Sequence, residues 1–337
     1  MSTLLMSEAT ITLDARHTLP DWQKTAWANF ATRRLGRHDL GGQMPHALML
    51  TASPGLGLQQ FAKQVCASLL CVTPLANAHA CEKCRSCVAR HAASHPDYCA
   101  IHPEDGKVSI GIDLIRWAAE RLAKTPQAGG FQVALIEPAH AMTVAAANAL
   151  LKTLEEPARD TVLILVSEQP GKLLPTVLSR CQRLHLLRPS KAEAQAWLAA
   201  SGVAKNANSE LALAISGGAP ILAAQLLESG AVQSYRGLSE ALDLGVRNGH
   251  LDALAIGKQW MQRLPEFARL YEYYLLTQQR MNAGAAEKID PNARCSKIMH
   301  LSKQYQELAK LREWGGTGVR IDLSISALLD QHMAVSV

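Results

Sequence analysis

The chain has 337 residues, 48% of them hydrophobic and 19% charged, which is enough apolar material for two or three packed domains and excludes a disordered, collagen-like or low-complexity polymer. Its 34 Lys and Arg against 29 Asp and Glu leave a formal charge of +5, a mild surplus without the dense basic stripe of a dedicated duplex binder. No apolar run reaches the roughly 18 to 20 residues that cross a bilayer, and no basic segment followed by an apolar one opens the chain, so we expect a cytoplasmic protein without membrane contact whose eight cysteines serve packing or a metal.

Ala and Leu dominate, so helix should be the majority state. Asp21 to about Leu35 follows Pro20 and spaces Trp22, Ala26, Phe30 and Leu35 near helical period. The apolar run His46 to Ala52 reads as a strand, ends in the turn Ser53-Pro54-Gly55-Leu56-Gly57, and is followed by a helix from Leu58 to Leu70. After a Cys-rich insertion come a strand at Tyr98 to Ile101, a helix carrying Ile112, Ile115, Ala119 and Leu122, and a strand at Val133 to Ile136. A helix from Met142 to Glu156 stops at Pro157, and a strand at Thr161 to Val166 follows. A short helix near Leu173 to Leu178 and a strand at Arg183 to Leu187 complete this part. Strands that are apolar along their whole length and alternate with helices indicate a parallel sheet covered on both faces, an α/β domain over residues 1–188.

From Ser190 the strand signals vanish. Helical patterns near 190–201, 207–216 and 219–229 make a small three-helix domain over 189–234, and longer amphipathic helices fill 235–337. The latter are broken from Asn282 to Asn292 and again at Gly315-Gly316-Thr317-Gly318, before a last helix with Ile321, Leu328 and Leu329.

A phosphate loop needs Gly-x-x-x-x-Gly-Lys-Ser/Thr: glycines turn backbone amides inward, Lys reaches the outer phosphates and the hydroxyl binds Mg²⁺. Between strand and helix this chain has Ala52-Ser53-Pro54-Gly55-Leu56-Gly57-Leu58-Gln59, with Leu58 in place of the Lys and Gln59 in place of the hydroxyl. The strand end that should carry a metal-binding and a water-polarising carboxylate reads Ile136-Glu137-Pro138, and Pro138 cannot act as a base. Gly55, Gly57, Leu58, Gln59 and Glu137 are therefore read as a vestigial nucleotide site that binds no cofactor for hydrolysis.

The segment Asn148 to Pro157, Asn-Ala-Leu-Leu-Lys-Thr-Leu-Glu-Glu-Pro, followed by an apolar strand and then Leu178-Ser179-Arg180-Cys181, resembles the clamp-loader branch of the AAA+ proteins. The missing phosphate-loop Lys and the Cys cluster narrow the resemblance to the non-hydrolysing subunit family of the bacterial DNA polymerase III loader. It implies a P-loop-type parallel-sheet domain, a three-helix lid and an all-α collar that joins a ring. In that family the arginine of Ser-Arg-Cys faces the ATP of a neighbouring subunit, so Arg180 is the candidate catalytic residue, acting in trans. A local role, closing its short helix or pairing with a nearby carboxylate, stays open. Ser179 and Cys181 read as positioning and packing residues. Lys152, Glu155 and Glu156 belong either to an interface or to a solvated helix face. Where motor subunits place an Arg against their own nucleotide, this chain has Ile221 in Ser216-Gly217-Gly218-Ala219-Pro220-Ile221.

Cys71, Cys81, Cys84 and Cys87 follow C-x9-C-x2-C-x2-C, a spacing that lets four thiolates meet one tetrahedral Zn²⁺. An iron–sulfur cluster is the rival, although position 91 holds His91 with no following Pro. His79 or His91 could stand in for Cys71. Four protein ligands leave no place for a reacting water, so the zinc is structural, and the family has such a module. Cys66 and Cys99 read as core residues and Cys295 as unassigned. The basic cluster Arg33-Arg34-Leu35-Gly36-Arg37-His38 is given no role, and His140 packs at the vestigial site or lies on the surface.

The resemblance thus implies a hetero-oligomeric replication subunit that braces the ring opening the sliding clamp around primer-template DNA. Its partners would be ATPase subunits of gamma/tau type and the delta subunit. Catalysis by the isolated chain is not expected, since nothing offers the acidic cluster of a two-metal nucleotidyl transferase; a DNA-directed DNA polymerase label would belong to the holoenzyme. The rivals are an active motor ATPase of the same fold and an independent zinc-dependent nucleic-acid binder.

Overall fold

The computed structural model describes residues 19–36, 44–203, 208–284, 303–304, 306–308, 311 and 320–336. The expectations for Arg37, His38, Cys295, the Gly315-to-Gly318 loop and most of the break from Asn282 to Asn292 lie outside the described residues. Two compact units emerge: one runs to Ser201 and includes Gly218–Leu222, the other holds Gly202–Gly217 and the chain from Ala223.

In the first unit the elements are α1 (Asp21–Arg34), β1 (Ala47–Thr51), α2 (Leu58–Leu70), α3 (Arg85–His91), β2 (Tyr98–Ile101), α4 (Ile112–Leu122), β3 (Gln132–Ile136), α5 (Val144–Glu155), β4 (Thr161–Ser167), α6 (Pro175–Leu178), β5 (Gln182–His185) and α7 (Lys191–Ala200). The five strands form one parallel sheet in the order β2-β3-β4-β1-β5, with Met49 of β1 between Leu165 and Arg183. Every residue of β1, β3 and β4 is buried, as strands covered on both faces must be. The edge strand β5 buries only Leu184 and shows Gln182, Arg183 and His185 to solvent, the polar edge that discourages further pairing. This is the sheet expected from the AAA+ resemblance.

The helix expected from Met142 starts later. Thr143 takes an extended conformation and its hydroxyl accepts the Ala146 N–H at 3.2 Å, so Thr143 caps α5, and a 3₁₀ turn at Ala139–Ala141 precedes it. N-caps of this type contribute about 1 kcal/mol, which decides the start over the apolar period that favoured Met142. The short helix expected at Leu173 resolves into a 3₁₀ turn at Pro170–Lys172 and α6. The helix α3, inside the Cys-rich insertion, was not anticipated.

The second unit holds α8 (Ser209–Ile215), most of α9 (Pro220–Glu228), α10 (Ala231–Asn248), α11 (Ala253–Trp260), α12 (Leu264–Gly284) and a last helix, Ile321–Ser336. Leu242, Phe267, Leu270, Tyr271, Leu275, Ile325 and Leu329 are buried in it. Tyr274 donates to Asp243 at 2.8 Å, giving its buried ring a polar anchor. A Cβ at Gly257 would overlap the Asp322 carbonyl, so α11 and the last helix approach to backbone distance. No single helix among the described residues is long and apolar enough to cross a membrane.

Candidate functional site

The strand-to-helix loop turns on two glycines. Gly55 and Gly57 both have φ +78°, a left-handed conformation that glycine adopts without strain, and Gly57 caps α2. What surrounds the loop is the protein itself. The Leu56 carbonyl accepts Trp22 Nε1 at 3.0 Å and Gln23 Nε2 at 2.8 Å, which fastens the loop to α1. A Cβ on Gly57 would lie 2.8 Å from Gln23 Nε2 and 2.9 Å from Ile221 Cδ1, and one on Gly55 would overlap Leu222. The room left by the glycines is taken up by side chains of this chain. Leu58, in the place of the phosphate-binding Lys, is buried, while Gln59 is exposed.

At the ends of β3 and β4 the same side of the sheet carries Glu137, His140 and Ser167. Glu137 is buried and its carbonyl accepts His102 Nδ1 at 2.8 Å. His140 is half-buried with Nδ1 3.0 Å from the Ser167 hydroxyl, which also accepts the Gln169 N–H at 3.1 Å. Burial, reinforced by Lys172, lowers the His140 pKa. The sequence left His140 between packing and surface; the structure puts it against a strand end.

Arg180 lies just past α6 with 36% of its side chain exposed. Its NH1 donates to the Thr176 carbonyl at 3.0 Å and its NH2 meets Glu155 Oε1 at 2.6 Å. Both local roles weighed from the sequence are thus realised, and part of the side chain stays open to solvent. Ser179 donates to the same Thr176 carbonyl at 3.1 Å. Cys181 is buried with Leu150, Leu154 and Val177, and burial pushes its thiol up to about 11, so it packs. Lys152 and Glu156 are exposed.

The four cysteines converge. Their sulfurs lie within 4.8 Å of one another, with Cys71 and Cys84 3.9 Å apart. A tetrahedral ion with Zn–S bonds of about 2.3 Å sets its sulfurs about 3.8 Å apart, so the donor set fits such an ion. Backbone N–H groups already point at sulfur: Cys81 at Cys71 (3.3 Å), Cys84 at Cys81 (3.3 Å) and Cys87 at Cys84 (3.4 Å). The Thr73 hydroxyl and the Lys83 N–H hold Cys81 down to about 6, whereas burial raises Cys71 and Cys87. Neither histidine joins the group: His79 stacks on Trp27 with centroids 4.1 Å apart, and His91 pairs with Glu82. Cys66 and Cys99 are buried core residues, as expected.

Three features had no clear sequence signal. Arg34, from the basic cluster, turns inward, donating to the carbonyls of Ser68 (3.1 Å) and Cys71 (2.8 Å), the latter belonging to the cysteine cluster. Ser86 and His95 form a buried hydrogen-bonded pair behind α3. Glu155 pairs with Arg180. Each joins segments that are distant in sequence, and only the packed sheet reveals them.

The sequence matches the family described as DNA polymerase III, delta subunit, over residues 28–190. A DNA polymerase III subunit delta′ from Pseudomonas aeruginosa is 41% identical over 206 residues, 61% of this chain and 60% of that protein. Another from Yersinia pestis is 34% identical over 285 residues, 77% of this chain and 83% of that protein. The crystal structure of a DNA polymerase III gamma-subunit-related protein from Thermotoga maritima superimposes with TM-score 0.44 at 18% identity, covering 90% of this chain and 100% of that one.

Proposed function

Since the chain belongs to the DNA polymerase III delta-prime family, we propose that it is the non-hydrolysing subunit of a clamp loader, completing the ATP site of a neighbour with Arg180. The observation that carries this is the contrast between two places on one domain. The chain's own loop has Leu58 for a cation, with Ile221, Leu222 and Gln23 packed over its glycines, whereas Arg180 is only half-buried and keeps donors to spare. An ATP site needs positive charge where the transferring phosphoryl group spreads its negative charge. This chain lacks that charge in its own loop and carries it on Arg180, between α6 and β5.

The work assigned to the chain is static. Arg180 reaches a partner's γ-phosphate with a planar fork that stays charged at every working pH. The sheet domain, a lid over 189–234 and a collar over 235–337 brace the ring, which is joined by gamma/tau-type ATPases and the delta subunit and acts on the sliding clamp and primer-template DNA in the cytoplasm. Cys71, Cys81, Cys84 and Cys87 would hold a zinc ion that ties the insertion to α2. With four thiolate ligands it keeps no open position and has no catalytic task.

The test is Arg180→Ala in the reconstituted loader. Turnover at the site it faces should fall by about three orders of magnitude, the lower end for arginine fingers, and whole-complex ATPase should fall by the share that site carries, with assembly intact. An unchanged rate refutes the role. ATP turnover by the isolated chain, lost on changing Glu137, would instead favour the motor reading. Salt-sensitive DNA binding by the isolated chain that disappears with its zinc would favour the nucleic-acid binder.

A further inference from the structure

We infer that Glu155 is a positioning residue for Arg180, setting the guanidinium for the neighbouring subunit's ATP; this rests on the trans role proposed above. Glu155 closes α5, and Arg180 follows α6. The backbone between them is already fixed, because Cys181 and Val177 are buried against Leu150 and Leu154 of α5. The side chain is then fixed from two directions, by the Glu155 carboxylate on NH2 at 2.6 Å and the Thr176 carbonyl on NH1 at 3.0 Å. A guanidinium has five N–H donors, so these two contacts leave others for a phosphate.

Such anchoring matters for catalysis in a way it does not for stability. An exposed ion pair contributes little to folding, and Glu155 is 51% exposed, so its loss leaves the fold in place. A long side chain that must find its geometry anew at each turnover, however, loses the orientation that makes a finger effective. The opposite role, a carboxylate that sequesters the arginine, would close the side chain off, and here 36% of it stays open.

The experiment reconstitutes the loader with Arg180→Ala, Glu155→Ala, Glu155→Gln, Glu156→Ala and the Glu155→Ala/Arg180→Ala pair, and follows ATP turnover against ATP concentration with clamp and primed DNA. Glu155→Ala should lower kcat at the facing site about tenfold, at the low end for an orienting partner, with KM for ATP little changed and melting and assembly intact. Glu155→Gln, which keeps an acceptor oxygen, should recover part of the rate, and Glu156→Ala should leave it unchanged. The double variant should turn over no more slowly than Arg180→Ala alone. If Arg180→Ala is slow but Glu155→Ala is normal or faster, the positioning role is refuted and the trans role stands. If Glu155→Ala slows the Arg180→Ala loader by the same factor, Glu155 acts by another route and the inference fails. If Arg180→Ala is itself normal, both fall.

Discussion

His95 shows how a single buried side chain can have its protonation state dictated by its neighbours. The Asp97 N–H donates to Nδ1 at 3.1 Å, so the ring proton must sit on Nε2, which donates to Ser86 Oγ at 2.5 Å; Ser86 in turn donates to the Leu70 carbonyl at 2.6 Å. A second proton would be placed on Nδ1, directly against the Asp97 N–H. Burial, with Arg90 adding to it and Asp97 opposing, lowers the His95 pKa below its ordinary value. The folded chain therefore binds fewer protons here than the unfolded chain once the pH drops below about 6.5, and stability contributed by His95 is complete above that pH and is lost as the solution is acidified. Denaturant unfolding of the wild type and of His95→Gln from pH 7.5 to 5.5 checks this. The wild type should lose its advantage as pH falls, while the cysteines titrate alike in both chains and cancel; parallel lines would refute the assignment. Arg180 and the four cysteines could be picked out from sequence because each sits in a local pattern. His95 and Glu155 could not, since their partners are supplied by other elements.

Among the elements, α3 depends most on its surroundings. Seven residues are too few for a helix to persist alone in water, and α3 carries Arg85, Arg90 and His91. Cys84 caps its N-terminus and Cys87 lies in its first turn, so both ends of the last C-x2-C enter the cysteine cluster. The loop before it holds Ala78 at φ 64° and Glu82 at φ 60°, left-handed conformations that cost about 1 kcal/mol or more outside glycine. An ion held by the four thiolates would help to keep that strain in place. Metal analysis should find one zinc per chain, and a chelator should raise hydrogen exchange from Cys71 to His95 while β1, β3 and β4 stay protected. A metal-free chain with the same protection would show that packing alone holds the insertion. The strands β1, β3 and β4 were legible because a strand buried on both faces is an unbroken apolar run. The helix α3 was not, because its polar residues suit a loop equally well and its reason to be helical is the convergence of cysteines around it.

For the molecule as a whole, the groups missing from a nucleotide site were visible in the sequence at Leu58, Gln59 and Pro138, but what covers the glycines of the loop was not. Ile221 and Leu222, which cover them, come from a segment distant in sequence that the local loop pattern cannot reach. This has a consequence for repair. If the missing Lys and hydroxyl were the only defect, Leu58→Lys with Gln59→Thr should restore MgATP binding. The structure says otherwise, because Leu58 is 3% exposed and a lysine there would be a buried charge, costing several kcal/mol unless it is paired. Space is also lacking, since Gly55 and Gly57 are covered by Leu222, Ile221 and Gln23. The double variant should therefore melt lower than the wild type and show no rise in melting temperature with millimolar MgATP, where a ligand at 100 times its Kd would stabilise by about 2.7 kcal/mol. A rise seen only after Ile221 and Leu222 are also cut to alanine would assign the block to packing. A rise in the double variant itself would mean that chemistry alone had closed the site, and that the packing above the glycines yields to a nucleotide.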